Sequence, residues 1–196
     1  MTLQGILDYT PLSSDHVNPI FSHTHHDPDF YLQGLIIPTP STEDNVREWV
    51  AGRLADHTCQ YHTIMLDGHP VGVAGLGRIR PGVDAEVSYW VAEAHRGRGL
   101  AGASLSHLED LAAEYALSSL YAFVDTDNKP SARVLMRHGF APDPHSGFAT
   151  FLDQDVYTKQ LRRAEQTLNT PSHSSRTPCY EPTRAETSRR ATPASR

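Results

Sequence analysis

The sequence predicts an α/β domain, and three observations carry the prediction. Short runs alternate apolar and polar residues with the two-residue period of a strand, most plainly Asp84–Val91. Between such runs, apolar residues recur at steps of three and four, the spacing of one helix face. Glycine, proline, asparagine and aspartate gather at the joins, where the backbone must turn.

The elements follow in order. Leu3–Tyr9 reads as a first strand, and Ser13–Ser22 as a short helix capped by Ser13 or Ser14. A longer helix begins at Ser41-Thr42-Glu43-Asp44 and runs to Asp56. Its acidic first turn suits the helix dipole, and Val46, Trp49, Val50 and Leu54 share one face. Thr58–Leu66 and Val71–Gly77 are strands, and Asp67-Gly68-His69-Pro70 between them signals a hairpin. In the strand Asp84–Val91, Ala85, Val87, Tyr89 and Val91 form an apolar face. Glu86 and Ser88 put a carboxylate and a hydroxyl on the other. A helix from Leu100 to Tyr115 carries Ala101, Leu105, Leu108, Ala112 and Tyr115 as its core-facing stripe. Leu120–Val124 is a short strand. Asn128 caps a helix from Pro130 to His138, with Gly139 just past its end and Phe140 placed to fold back on the last turn. Phe148–Thr158 closes the body as a strand.

Composition narrows the class further. The 196 residues suit one domain of ordinary size plus an extension. No apolar run reaches the roughly 18 residues that span a bilayer, and Met1-Thr2-Leu3-Gln4-Gly5 lacks a signal-peptide layout. Cys59 and Cys179 form neither a disulfide framework nor a zinc spacing, which points to a reducing cytoplasm. Seven arginines against three glutamates give residues 162–196 a net charge of +4, leaving −10 for residues 1–161 of a chain whose total is −6. An acidic body disfavours nucleic acid and suits cationic acceptors such as amines. The last segment, rich in Ser, Thr, Pro and Arg, buries too little apolar surface to offset its ordering entropy. The expected organisation is therefore a folded body over 1–161 and a disordered basic tail over 162–196.

The chemistry concentrates between Val91 and Gly102. There a strand passes into a helix through a turn with two arginines and several glycines, His95-Arg96-Gly97-Arg98-Gly99. Glycines let amide groups approach a ligand, and the helix that follows offers unpaired N–H groups at the positive end of its dipole. Together they make a site for an anion such as pyrophosphate. The chain resembles the GNAT superfamily of acyl-CoA-dependent N-acetyltransferases. That family's Arg/Gln-x-x-Gly-x-Gly/Ala signature stands here as Arg96-Gly97-Arg98-Gly99-Leu100-Ala101. Its second mark stands as Asn128, Ser131, Leu135 and Gly139-Phe140. The run Glu86-Val87-Ser88-Tyr89-Trp90-Val91 is most similar to the Rim-like branch of ribosomal-protein N-terminal acetyltransferases. Pro11-Leu12-Ser13 and Thr42-Glu43-Asp44 fit that branch too, and the resemblance spans Thr10 to Thr158.

The resemblance implies a mixed, mostly antiparallel sheet flanked by helices. Its fourth and fifth strands, Asp84–Val91 and Leu120–Val124, would splay apart. It implies acetyl-CoA as acyl donor and no metal. Pantetheine would pair with main-chain groups around Val91, from Trp90 to Ala92. Pyrophosphate would rest on the amides of Gly97, Arg98, Gly99, Leu100, Ala101 and Gly102, with Arg96 and Arg98 supplying positive charge. Asn128, while capping its helix, and Ser131 would touch the cofactor beside the thioester.

Acyl transfer requires a neutral amine, and the oxyanion it forms requires a donor such as a strand N–H. Glu86, on the polar face of the strand entering the loop, is the candidate base, proton relay or amine anchor; its plainer role is a salt-bridged glutamate. Many relatives carry a tyrosine acid where this chain has Leu135. Ser131 is then the next candidate to bond the sulfur or relay a proton, unless it only starts a helix. Cys59 lacks a histidine partner in sequence and reads as a packed strand residue. His23-Thr24-His25-His26-Asp27 lacks the spacing of a closed metal site and reads as a substrate-side loop. Phe30, Tyr31 and Trp49 line the acceptor pocket or the core, and Trp90 walls the cofactor channel or covers the sheet. The function expected is acetyl transfer to a primary amine, a protein N-terminus or a small amine, in a direct ternary complex. The protein would act in the cytoplasm as a monomer or homodimer, with no nucleic-acid or membrane partner. The rival is a non-catalytic acyl-CoA-binding sensor on the same fold.

Overall fold

The computed structural model describes residues 5–25, 27, 42–145 and 153–161. Phe30, Tyr31, His26, residues 148–152 and the segment 162–196 lie outside them, and with them the reading of a disordered tail.

Strand β1 (Leu7–Pro11) is followed by a single 3₁₀ turn, Ser14–His16, and helix α1 (Val17–Thr24). Pro19 sits in the first turn of α1, where its missing N–H has no partner to lose. Helix α2 (Glu43–Ala55) is capped by Thr42, whose Oγ1 accepts from the Asn45 amide at 3.2 Å. Strands β2 (Gln60–Leu66) and β3 (His69–Arg80) form a hairpin. Only Asp67 and Gly68 make its turn, both at positive φ (52° and 79°), as a two-residue primed turn requires. Strand β3 is therefore longer than Val71–Gly77. A bulge between Gly77 and Arg80 then resets its pairing with β4.

Strand β4 (Asp84–Val91) occupies the expected residues. A 3₁₀ turn, Glu93–His95, leads to α3 (Leu100–Glu114), then β5 (Ser119–Asp125) and α4 (Lys129–Arg137). A two-residue strand β6 (Ala141–Pro142) and β7 (Gln154–Gln160) complete the fold. The seven strands lie in the order β1-β2-β3-β4-β5-β7-β6, antiparallel throughout except β4 against β5. Among the described residues the first strand begins at Leu7, with β2 setting its register, Leu7 opposite Leu66 through Pro11 opposite His62. On this edge, proline at the strand end forfeits no ladder bond.

The sheet is covered on both faces. On one, Ala85, Val87 and Val91 of β4 join Leu120, Ala122 and Val124 of β5 beneath α3 and α4. Helix α3 buries Leu100, Leu105, Leu108, Leu111 and Ala112, each large side chain worth about 1.5–3 kcal/mol. Ala101 and Tyr115 stand at the margin of this stripe rather than within it. On the other face, Trp90 packs with Val17, Ile20, Val46, Trp49 and Val50 of α1 and α2. Trp49 thus belongs to the core, edge-on to Tyr61, and Trp90 covers the sheet.

Candidate active site

The parallel pair β4–β5 is joined only at its start, Asp84–Glu86 against Ser119–Tyr121. Beyond Glu86 the two strands part, and the gap between them is the centre of the site. Main-chain groups along β4 alternate between the β3 side and the gap. The Ala92 amide donates to Val71 O of β3 at 2.9 Å, so Val91 and Tyr89 face the gap. A narrow cleft of about 60 Å³ opens there, with Glu86, Ser88, Tyr89, Phe123, Asn128 and Ser131 in its walls. That is room for a few waters or a thioester.

At the far end of β4 the turn folds as its glycines demand. Gly97 and Gly99 lie at φ 74° and 86°, in the left-handed region. Gly99 is the N-cap of α3 and brings no side-chain cap, so the first amides of the helix are left for a ligand. A Cβ at Gly97 would meet nothing within 4 Å, so the space above the turn is open. A Cβ at Gly102 would stand 2.8 Å from His138 Nε2, so α3 and α4 approach closely there. This surface of bare amides at a helix start fits a pyrophosphate.

The two arginines of the turn differ. Arg98 Nη1 lies 3.3 Å from His95 Nδ1, at the mouth of the turn. Arg96, expected at the phosphate, has its guanidinium on the buried Asp27 carboxylate, while its Nε donates to Val91 O at 3.0 Å. Trp90 Nε1 donates to the same carboxylate at 3.2 Å. Asp27 thus ties the chain beyond α1 to the end of β4. His23, from the same histidine-rich run, lies 3.0 Å from Pro70 O and edge-on to His95. Among the described residues no three histidine, cysteine, aspartate or glutamate groups gather to hold a metal.

Glu86 is only 13% exposed, and Arg78 Nη1 sits 3.0 Å from its carboxylate. Burial pushes its carboxyl above the usual carboxylate range, and Arg78 and Arg53 pull it back in part. Across the cleft, Asn128 Oδ1 accepts from the Ser131 amide at 3.1 Å, the cap expected of it. Ser131 Oγ is 2.9 Å from Tyr89 Oη. Burial pushes the Tyr89 phenol up to about 12, offset in part by Ser131, so it stays a donor. Leu135 is fully buried beneath them. Cys59 Sγ donates to Asp56 Oδ2 at 3.1 Å, and burial raises its pKa, which makes it a poor nucleophile.

Sequence reasoning did not single out Tyr89, Arg78 or the Asp27–Arg96 pair. Tyr89 looked like one more apolar-face residue. Alternation gives its face, but not that α4 brings a serine to its hydroxyl.

A splayed parallel pair, an uncapped helix start behind a glycine turn and a capped serine helix are the parts that an acyl-CoA transferase site calls for. The chain belongs to the family described as the acetyltransferase (GNAT) domain, whose model matches residues 7–141. It is an acetyl-CoA-dependent N-acetyltransferase. Over 160 residues it is 29% identical to the ribosomal-protein-serine acetyltransferase of Escherichia coli (strain K12), covering 77% of this chain and 87% of that one. Its fold is similar to that of RimL, a ribosomal L7/L12 α-N-protein acetyltransferase solved with coenzyme A. That match has a TM-score of 0.68 and 18% identity, over 81% of this chain and 96% of that one. The GNAT domain of S. lividans PAT matches with a TM-score of 0.64 and 21% identity, over 78% and 89% of the two chains. These similarities agree with the Rim-like branch. Among the described residues no helix is long and apolar enough to cross a membrane.

Proposed function

We propose that the acceptor is a primary amine, a protein N-terminus or a small amine, acetylated directly in a ternary complex with acetyl-CoA. The observation that carries this reading is the parting of β4 from β5, with Glu86 on one wall of the gap and Ser131 on the other.

The donor lies along the gap with its pyrophosphate on the amides of Gly97 to Gly102 and Arg98 beside it. Arg96 acts through Val91: by holding Val91 O it fixes the strand end, leaving the Val91 amide and the Tyr89 main chain for pantetheine. Asn128 and Ser131 meet the donor near its sulfur. An N-terminal ammonium, with a pKa near about 8, must lose a proton before attack. Glu86 anchors it and takes the proton, directly or through a water in the cleft. Attack of the neutral nitrogen on the thioester carbonyl gives a tetrahedral oxyanion, which the gap-facing β4 amides stabilise. Collapse expels the coenzyme A thiolate, and the surplus proton on the former amine nitrogen passes through cleft water to that sulfur, leaving a neutral amide and free coenzyme A. Ser131 bonds the departing sulfur through its hydroxyl, itself held by Tyr89.

The catalytic body is residues 1–161, with 162–196 a dispensable basic tail, and the protein works in the cytoplasm as a monomer or homodimer. Free-thiol release from acetyl-CoA across a panel of peptide N-termini and small amines tests the reading. Turnover must require acceptor, and intact mass after incubation with acetyl-CoA alone must show no acetyl-enzyme. Tight coenzyme A binding with no turnover on any acceptor would leave a sensor instead.

A further inference from the structure

A second concavity, of about 600 Å³, opens beside the cleft, with Arg78, Arg80, Asp84, Tyr121, Thr158 and Gln160 in its walls. The register sets Glu86 beside Tyr121 and Tyr121 beside Thr158, so these three side chains share one face of the sheet. Arg78 stands at the boundary between cleft and hollow. It lies in the bulge of β3 at φ 49°, a conformation that non-glycine residues keep only where their surroundings hold them. From there its guanidinium reaches three groups. Nη1 is 3.0 Å from the Glu86 carboxylate, the Phe123 ring lies 6.0 Å away, and the Tyr121 phenol is near enough that the guanidinium draws down in part a pKa that burial raises. Glu86 and Phe123 line the cleft, whereas Arg78 and Tyr121 line the hollow. Arg80 is already committed to Asp84 through Nε at 2.7 Å and a second bond. Among the described residues, Glu86 is the only carboxylate partner of Arg78, whose side chain is 63% exposed.

We propose that this hollow receives the body of the acceptor and that Arg78 binds an anionic group on it. The preferred acceptor is then an amine with a carboxylate or similar anion close to its nitrogen. This rests on the reading of Glu86 as the amine-side group. In the free protein Arg78 neutralises Glu86. An ammonium that arrives at Glu86 displaces the guanidinium, and a plain amine leaves it without a carboxylate. An amphoteric acceptor supplies both halves, so one ion pair is exchanged for two, and a planar guanidinium holds a carboxylate by paired hydrogen bonds. Because the two charged groups start 3.0 Å apart, the acceptor's own charges must be close together. A free amino acid and a peptide with an acidic residue next to its amino end offer the same chemistry.

The experiment compares two matched pairs of acceptors: L-serine against L-serinamide, and a hexapeptide with aspartate at its second position against one with asparagine. Wild type should favour the carboxylate member of at least one pair by about tenfold in kcat/KM. The pair that shows the preference identifies the source of the anion. Arg78→Asn removes the guanidinium while asparagine tolerates the left-handed backbone. It should bring the ratio to within about twofold of unity, and Arg78→Lys should restore part of it. Equal rates within both pairs in wild type, or a preference that survives Arg78→Asn, would overturn the assignment. Absence of turnover with every acceptor would defeat the transferase reading instead. Calorimetric binding of the same two pairs to the coenzyme A-loaded protein then decides the Arg78 assignment by itself: tenfold in either pair favours it, parity in both sinks it.

Discussion

Two glycines make a controlled test of the anion nest. Gly97, in the turn before α3, and Gly68, in the β2–β3 hairpin, both lie in the left-handed region (φ 74° and 79°). At each, an added Cβ meets nothing within 4 Å. Alanine at either position therefore bears the same penalty, about 1–2 kcal/mol for an L-residue in that conformation. Fewer unfolded states return about 0.4–1 kcal/mol of it. The net loss should be about 1 kcal/mol for both variants, a fall in Tm of about 2–4 °C for a chain of this size. Their coenzyme A affinities should differ. A phosphate held by the amides of this turn sits at hydrogen-bond distance from them, and a methyl group at Gly97 would intrude on it. Gly97→Ala should weaken coenzyme A binding by tenfold or more, about 1.4 kcal/mol, while Gly68→Ala leaves it unchanged. Urea denaturation gives the first quantity and titration calorimetry the second. Equal coenzyme A affinity in the two variants, at equal stability, would refute the placing of the phosphate on this turn.

Three further outcomes follow from the electrostatics and the chain's organisation. Glu86→Gln should lower turnover by about a hundredfold and abolish the acid limb of the kcat/KM profile. That limb in wild type should lie above the usual carboxylate range because burial raises this carboxyl. The native state then holds the Glu86 proton more tightly than the unfolded chain, so the stability this group contributes is lost as pH rises through that interval. The glutamine variant should lose that slope in urea titrations. His62 Nδ1 and His107 Nε2 lie 2.6 Å apart, with Tyr9 stacked on His107 at 4.0 Å. Burial holds both imidazoles below the ordinary histidine value; His62 is lowered further by His107, whereas Asp110, Glu114 and Asp8 raise His107 in part. The unfolded chain therefore takes up more protons on acidification, and stability is lost as pH falls below about 6.5. His107→Phe, which keeps a ring on Tyr9, should flatten this loss between about pH 7 and pH 5. Ending the chain at Leu161 should leave coenzyme A affinity and acceptor kinetics unchanged; a tenfold loss in either would make residues 162–196 part of the working enzyme.

What was legible in the sequence is what local chemistry determines. The strand Asp84–Val91 could be placed to the residue because its alternation is strict and both ends are marked. The glycine turn and the Asn128 cap were legible because each acts within a few residues. Helix α3 was read too narrowly. It packs against the sheet and α4 together, so Leu100, Ser104 and Leu111 are buried beside the expected Leu105, Leu108 and Ala112. Buried Ser104 is accommodated by bonding Leu100 O at 2.9 Å and facing Tyr9 Oη at 3.3 Å. The contacts that complete the site were not legible. Tyr89–Ser131 and Asp27–Arg96 join residues 42 and 69 apart. Arg78 reaches Glu86 only because a bulge turns β3. Such pairings follow from the order of strands and the position of a bulge, which no local window contains.

The Asp27 carboxylate shows how the two halves of the site are linked. It is almost completely buried and takes hydrogen bonds from Trp90 Nε1 and from Arg96. Arg96 in turn holds Val91 O. The chain that follows α1 is thus fastened to the strand end where pantetheine would lie. A buried pair broken on one side costs about 3–5 kcal/mol, but Arg96 is a third exposed and water can reach it. Asp27→Asn also keeps an acceptor for Trp90, so the expected loss is about 1–2 kcal/mol. If the pair only staples the fold, that loss is the whole effect. If it positions Val91, the KM for acetyl-CoA should rise several-fold while kcat at saturating donor stays near wild type. Arg96→Lys, which cannot grip Asp27 and Val91 O together, should reproduce that split. A stability loss in both variants with KM for acetyl-CoA unchanged would reduce the pair to a structural staple.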